Sequence, residues 1–257
     1  MSDMNVIFWD VYGTLIAAER GDLDSLIRRE AELRTSFERT VKNFGLSISP
    51  ARLHDLFLRS IEAEREARRA EGIMHPEVRV DEIWFKMLEK LQPDASLTVN
   101  FAREVALFFE RQANPKQWQP RAYEVLTTLQ NRRFRQGILS NAQFYTPIEL
   151  SALLRHESAG AICTYESVFD PRLVFFSFEM GVAKPDPAAF RPAVEALTRE
   201  NLVPDSCVFI GDSLVNDIAP AEHLGFRTVL YAPVRATESP VKPDLVIHNL
   251  SQLLEWL

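Results

Sequence analysis

Apolar positions along the chain follow two rhythms. Residues 4–10, Met-Asn-Val-Ile-Phe-Trp-Asp, form a short apolar run that ends in a carboxylate. A run of this kind suits a strand buried on both faces, as in a parallel sheet. Gly13 then supplies a turn. From about residue 17 to 115 the rhythm becomes helical and charge-rich. Leu33, Phe37, Val41 and Phe44 fall on one helix face, with Gly45 as a stop. Ser49 and Pro50 read as the cap and first residue of a second helix. Ile83, Trp84, Met87, Leu88 and Leu91 predict a third. Ser96 is the expected cap of a fourth, with Val105, Phe108 and Phe109 on its apolar side. No strand pattern interrupts this stretch, so 17–115 is expected to be a helical insert.

After Trp118-Gln-Pro120 strands and helices alternate. A helix over about 120–132 precedes a strand ending Gly137-Ile-Leu-Ser140, and a further strand is expected at Leu173-Val-Phe-Phe-Ser177. A helix near 187–200 leads to Cys207-Val-Phe-Ile-Gly211. The strands Arg227-Thr-Val-Leu-Tyr231 and Asp244-Leu-Val-Ile247 and a short helix follow. Alternation of this kind predicts βαβ units and an α/β fold: a doubly wound, Rossmann-like parallel sheet. The expected division is a core of 1–16 and 116–257 and an all-helical domain of 17–115.

Composition adds exclusions. The 257 residues carry a formal charge of −7, which leaves no basic footprint for nucleic acid or an anionic membrane. Cys163 and Cys207 show no metal-ligand spacing. The start lacks the basic residues of a signal peptide, and no apolar stretch is long enough to cross a bilayer. A cytoplasmic protein is expected.

Ligands of open parallel sheets sit at the carboxyl ends of the strands. Asp10, Ser140 and Asp212 each end an apolar run, Lys184 follows a fourth strand, and Asp217 lies five residues past Asp212. One such aspartate alone reads as a turn former. Two carboxylates and a hydroxyl converging on a lysine read as a reaction centre. Asp10 and Asp212 suit a shared Mg²⁺, Lys184 suits an anionic substrate, and a carboxylate can form a covalent intermediate.

The chain resembles the haloacid dehalogenase-like hydrolase superfamily over essentially its whole length. The resemblance rests on Asp10-Val-Tyr-Gly-Thr14, Leu139-Ser-Asn141, Gly181-Val-Ala-Lys184-Pro-Asp186 and Gly211-Asp-Ser-Leu-Val-Asn-Asp217, in that order. It implies Asp10 as nucleophile, with Tyr12, Thr14, Ser140, Asn141 and Lys184 as catalytic positions. It implies a Mg²⁺ site from Asp10, the Tyr12 carbonyl, Asp212 and Asp217. The helical insert would be a C1-type cap that helps select the substrate. Phosphatases of the superfamily usually carry Asp where this chain has Tyr12. The start Asp-Val-Tyr-Gly-Thr-Leu is similar to that of L-2-haloacid dehalogenases, which need no metal. Those enzymes typically have Ser and Asn where this chain has Asp212 and Leu214, and Tyr in place of Phe190.

The expected function is a Mg²⁺-dependent phosphohydrolase for a small anionic phosphate ester. A metal-independent dehalogenase and a non-catalytic binding protein are the alternatives. Loss of the acid at position 12 predicts better turnover of esters with good leaving groups than of alkyl phosphates. Arg59, Arg65, Arg68, Arg69 and Arg79 alternate with glutamates as on a solvated helix face, and Arg20 is read the same way. His75, Trp84, Phe144 and Tyr145 are candidate specificity residues: Phe144 and Tyr145 are expected near the cleft mouth, whereas Trp84 reads better as the insert's core and His75 as a surface or capping residue. Asn216 and Asp217 are expected to orient Asp212 or metal-bound water.

Overall fold

The computed structural model describes residues 5–18, 30–91, 97–234 and 240–257. Six strands form one parallel sheet: β1 (Val6–Trp9), β4 (Arg135–Ser140), β5 (Val174–Phe176), β6 (Cys207–Gly211), β7 (Arg227–Tyr231) and β8 (Leu245–Ile247). Their spatial order is β5-β4-β1-β6-β7-β8. The chain therefore builds outward from β1 in one direction, returns, and builds outward in the other. β1 flanks the point where the order reverses, which is where doubly wound sheets leave a crevice. Every residue of β1 and β6 is buried, as the unbroken apolar runs require.

Two short strands were not visible in the apolar pattern. β2 (Ile16–Ala18) and β3 (Lys116–Trp118) pair antiparallel, with Ala18 opposite Lys116 and Ile16 opposite Trp118. The chain enters and leaves the helical insert through this ribbon. At three residues each, its strands are too short to show a period.

Between them lie α1 (Glu30–Phe44), α2 (Pro50–Ala70), α3 (Val80–Leu91) and α4 (Val99–Ala113). Gly45 follows α1 with φ +58, the left-handed stop expected there. The Ser49 side chain caps α2. α4 is capped by Thr98; the expected cap, Ser96, and Arg20 lie outside the described residues. Phe37, Phe57, Trp84 and Phe109 pack mutually with ring centroids 4.5–6.4 Å apart, so Trp84 is core.

Around the sheet run α5 (Ala122–Asn131), α6 (Thr146–Glu157), α7 (Ser177–Met180), α8 (Pro187–Arg199), α9 (Ala219–His223) and α10 (Leu253–Trp256). The strand expected over 173–177 is shorter. Ser177 opens α7 instead, and its hydroxyl accepts from Ala142 N–H at 2.8 Å and donates to Glu77. Cys207 is buried. No described helix is long and apolar enough to cross a membrane.

Candidate active site

Register brings the polar strand ends together. Trp9 pairs with Ile138 on one side and Ile210 on the other. Asp10 is the next residue, and Ser140 and Asp212 lie two beyond those isoleucines. Asp10 N–H donates to Ile210 O at 2.9 Å, which holds Asp10 on the sheet. The chain then turns back at Gly13, where φ is +92 and an added Cβ would lie 2.1 Å from Asp212 Oδ2. Only glycine lets the loop from β1 approach the loop from β6 so closely.

Asp10 has one occupied oxygen and one open one. Oδ1 accepts from Ser140 Oγ at 3.0 Å and from Lys184 Nζ at 2.8 Å. Oδ2 is buried and has no hydrogen-bond partner among the described residues. Lys184 spends its three donors on Asp10, Leu139 O and Asp217 Oδ1. Asn141 fixes the lysine's backbone from both sides: its amide donates to Lys184 O at 3.0 Å and its carbonyl accepts from Lys184 N–H at 2.8 Å. A single widened helical turn over Leu214–Ile218 returns Asp217 to the centre. There Asp217 packs against Gly211, whose missing Cβ would lie 2.4 Å from it.

Three carboxylates share one ammonium, and the acids are perturbed accordingly. Burial raises the Asp10 carboxyl; Lys184 opposes this and Asp217 adds to it, leaving it at about 6. Asp212 opens to solvent on one side, yet it is pushed up to about 8 by loss of hydration, then by Asp10 and Asp217. Burial works against the charged Lys184, but Asp10 and Asp217 outweigh it and hold the ammonium above its usual range.

The donor set fits a divalent cation. Oxygens of Asp10, Asp212 and Asp217 lie within 4.8 Å of one another. Asp217 already accepts from Lys184 and from Ser213 N–H, so the open donors belong to Asp10 and Asp212. Mg²⁺ takes one or two carboxylates and completes its shell with substrate and water oxygens. A cation here would also relieve the repulsion that raises both acids.

The side chain of Tyr12 turns away from this centre. Its hydroxyl lies 2.8 Å from Thr146 Oγ1, and burial, then Glu110, push its phenol well above the usual range. Its ring belongs to a cluster in which Lys116 pairs with Glu110 at 2.6 Å and stands over the rings of Tyr12 and Tyr145. Tyr145 is therefore buried. Phe144 lines a cavity of about 810 Å³ with Arg79 and Arg103 of the insert and Phe178 of the core. Thr14 is fully buried and its hydroxyl has no described partner.

Among the arginines, Arg69 pairs with Glu62, and Arg79 with Asp81 and Glu82. Arg59 is exposed. Arg68 pairs with Glu64 and also reaches across to Gly181 O at 3.3 Å. His75 is exposed, while its carbonyl accepts from Ala183 N–H at 2.9 Å. Asn216 donates its N–H to Ser213 Oγ within the widened turn.

Sequence reasoning missed Gln119, Gln143 and Glu77. Gln119, on the return from the insert, donates to Gly13 O at 2.9 Å and steadies the loop after Asp10. Gln143 and Glu77 join the insert to the loop after Ser140. The one available signal was the position of Gln143, two residues past Asn141.

Fold and site together define a doubly wound α/β protein with an acidic, lysine-bridged centre at the carboxyl ends of its middle strands. Within that class, the family model described as haloacid dehalogenase-like hydrolase matches residues 4–225, and the chain belongs to that family. It is 30% identical over 143 residues to a glyceraldehyde 3-phosphate phosphatase of Pyrococcus furiosus, covering 54% of this chain and 53% of that protein. It is 28% identical over 153 residues to a phosphoserine phosphatase of Thermus thermophilus, covering 59% and 56%. The chain thus spans about half the length of these curated relatives. A phosphatase structure from Thermococcus onnurineus shares the fold at TM-score 0.56 and 19% identity, covering 98% of this chain and 97% of its own. A 2-haloacid dehalogenase structure from Pseudomonas syringae shares it at 0.60 and 23%, covering 99% and 97%.

Proposed function

We propose that the protein is a Mg²⁺-dependent phosphohydrolase for a small phosphate ester, with Asp10 as nucleophile. The observation that carries this reading is the asymmetry of Asp10: Oδ1 is held by Ser140 and Lys184, and Oδ2 is buried beside Asp212 without a partner among the described residues. In this reading residues 17–115 are a cap over the core formed by 1–16 and 116–257. The phosphatase names of two relatives favour a small phosphorylated metabolite over a haloacid.

Asp10 and Asp212 would hold the cation, with the Tyr12 carbonyl and Asp217 in support. Bound there, Mg²⁺ supplies positive charge that offsets the carboxylates and polarises the phosphoryl group. Asp10 attacks phosphorus: a bond from its oxygen to phosphorus forms as the ester P–O bond breaks, and the leaving oxygen departs with its electron pair and takes a proton from water. Lys184 and Ser140 hold the Oδ1 side of the carboxylate and orient it. Asn141 keeps Lys184 in register. Water then cleaves the aspartyl-phosphate and restores Asp10.

The phenol of Tyr12 is committed to Thr146, so the leaving oxygen departs without an acid from this position. Esters of good leaving groups are accordingly the better substrates. Tyr12 is also the observation that favours the dehalogenase reading, which Asp212 opposes.

The test is a panel of phosphates and 2-haloacids, with Mg²⁺ or with chelator, beside Asp10→Asn. Phosphate release that needs Mg²⁺ and falls on the order of 10⁴-fold or more in the variant is expected. Halide release persisting in chelator would establish the dehalogenase. Phosphate-mimic binding without Asp10-dependent turnover would establish a non-catalytic protein.

A further inference from the structure

The segment between α2 and α3 is docked on the two core loops that carry Asn141 and Lys184. Pro76 pairs antiparallel with Val182, Ala183 N–H donates to His75 O, and Glu77 N–H donates to Gly181 O at 3.2 Å. On the other loop, Gln143 accepts from Val80 N–H at 3.1 Å and donates to Val78 O at 2.9 Å. The carboxylate of Glu77 lies buried between them. Its Oε1 accepts from Gln143 Nε2 at 2.9 Å and from Val78 N–H at 3.0 Å. Its Oε2 accepts from Ser177 Oγ at 2.6 Å, and Ser177 Oγ in turn accepts from Ala142 N–H at 2.8 Å.

A buried carboxylate is costly unless its lone pairs are met by donors. An apolar residue would hold two domains together with less risk. What a carboxylate adds is a set of directed bonds, each with a defined place in the core. Here they fix Ala142 and Gln143, the residues directly after Asn141, and Asn141 is what grips Lys184.

We propose that Glu77 is a positioning residue supplied by the insert: when the insert is docked, its carboxylate sets the 141–143 loop and, through Asn141, the placement of Lys184 against Asp10. When the insert lifts, water replaces the same hydrogen bonds and the loop relaxes. Undocking is then reversible, because a carboxylate is well solvated in the open state whereas an apolar plug is not. The catalytic arrangement is complete only in the docked state. This inference rests on the reading of the Asp10 centre as a phosphohydrolase site.

The experiment joins a distance to a rate. Spin labels go on native Cys163, exposed on the core, and on Glu66→Cys, exposed on α2; Cys207 is buried and unlabelled. In Glu77→Gln, an amide donor faces Gln143 or Ser177. The docked distance should broaden toward longer values, and kcat on an aryl phosphate should fall between about tenfold and a hundredfold, with KM changed much less. Ser177→Ala added to Glu77→Gln should cost less than the sum of the two single changes, since the pair shares one hydrogen bond. A purely structural Glu77 would lower thermal stability and leave kcat per folded molecule intact. Unchanged distances overturn the proposal, and so does unchanged kcat. If the wild type turns over no phosphate ester, the reading of the reaction fails, while the distance measurement still decides the role of Glu77. Should Glu77→Gln not fold, Ser177→Ala alone carries the same measurements.

Discussion

Strand β4 begins in one ionic cluster and ends in another, and the two are built on opposite principles. At its amino end Arg135 bonds Asp170 at 2.7 Å and also Glu200, and Arg172 bonds both acids. Two cations meet two anions. Arg172, opposed by partial burial and helped by Arg135, holds Asp170 well below the usual carboxylate range. At its carboxyl end Ser140 joins a cluster of three carboxylates and one lysine, and Asp10 and Asp212 are raised to about 6 and about 8. The matched cluster is content with its charges. The unmatched one is held together by the fold around it and is left wanting a cation. Proteins tolerate such local conflict where it serves a reaction.

Lys184→Met should widen the difference most. It strands Asp10 and Asp217 without their counter-charge, so denaturation should show a loss of about 3–5 kcal/mol near neutrality. Part of that should return as the pH is lowered and the acids protonate. Turnover should drop on the order of 10²- to 10³-fold.

Asp212→Asn removes the conflict from the other side. A raised acid keeps its proton in the folded state where the unfolded chain has lost it. Stability therefore falls as pH rises from the ordinary carboxylate range toward about 8. The variant should melt higher than the metal-free wild type at pH 8, show a flatter pH profile, and lose Mg²⁺-dependent turnover. A lower melting point at pH 8 would break the comparison.

At the matched end the signs reverse. Asp170 is depressed, so its contribution is present above the ordinary carboxylate range and lost as pH falls through it toward the folded value. Asp170→Asn should cost about 1 kcal/mol at neutral pH and progressively less as pH falls below the ordinary carboxylate range, with turnover unchanged. The smallest effect belongs to Tyr12→Phe. Because its hydroxyl serves Thr146, turnover should stay within a few fold and the preference for aryl over alkyl phosphates should persist. Loss of that preference would return the phenol to the reaction.

The unmatched centre was legible in the sequence because chemistry imposes it. Asp10, Ser140 and Asp212 each close an apolar run, and a parallel sheet converts that pattern into proximity. Lys184 and Asp217 were legible by their spacing from those runs. The direction of Tyr12 was not, since its partner Thr146 lies 134 residues away and carries no pattern. Glu77, Gln143 and Ser177 were invisible for the same reason: they are ordinary polar residues joined only by tertiary contact. Ser177 even sat inside an expected strand, whereas it opens a helix and bonds Ala142. Periodicity reports which face is buried. It is silent on what a buried polar atom is tied to.

The ribbon of β2 and β3 has a consequence for how such a chain can change over generations. With Ala18 paired to Lys116, the insert leaves and rejoins the core at points about 5 Å apart. A segment whose ends meet can be exchanged for another without stretching the frame that receives it. Any replacement helical module of similar end spacing should be accepted by the folding core. To be accepted by the chemistry as well, the newcomer would have to bring its own acceptor for Gln143 and Ser177.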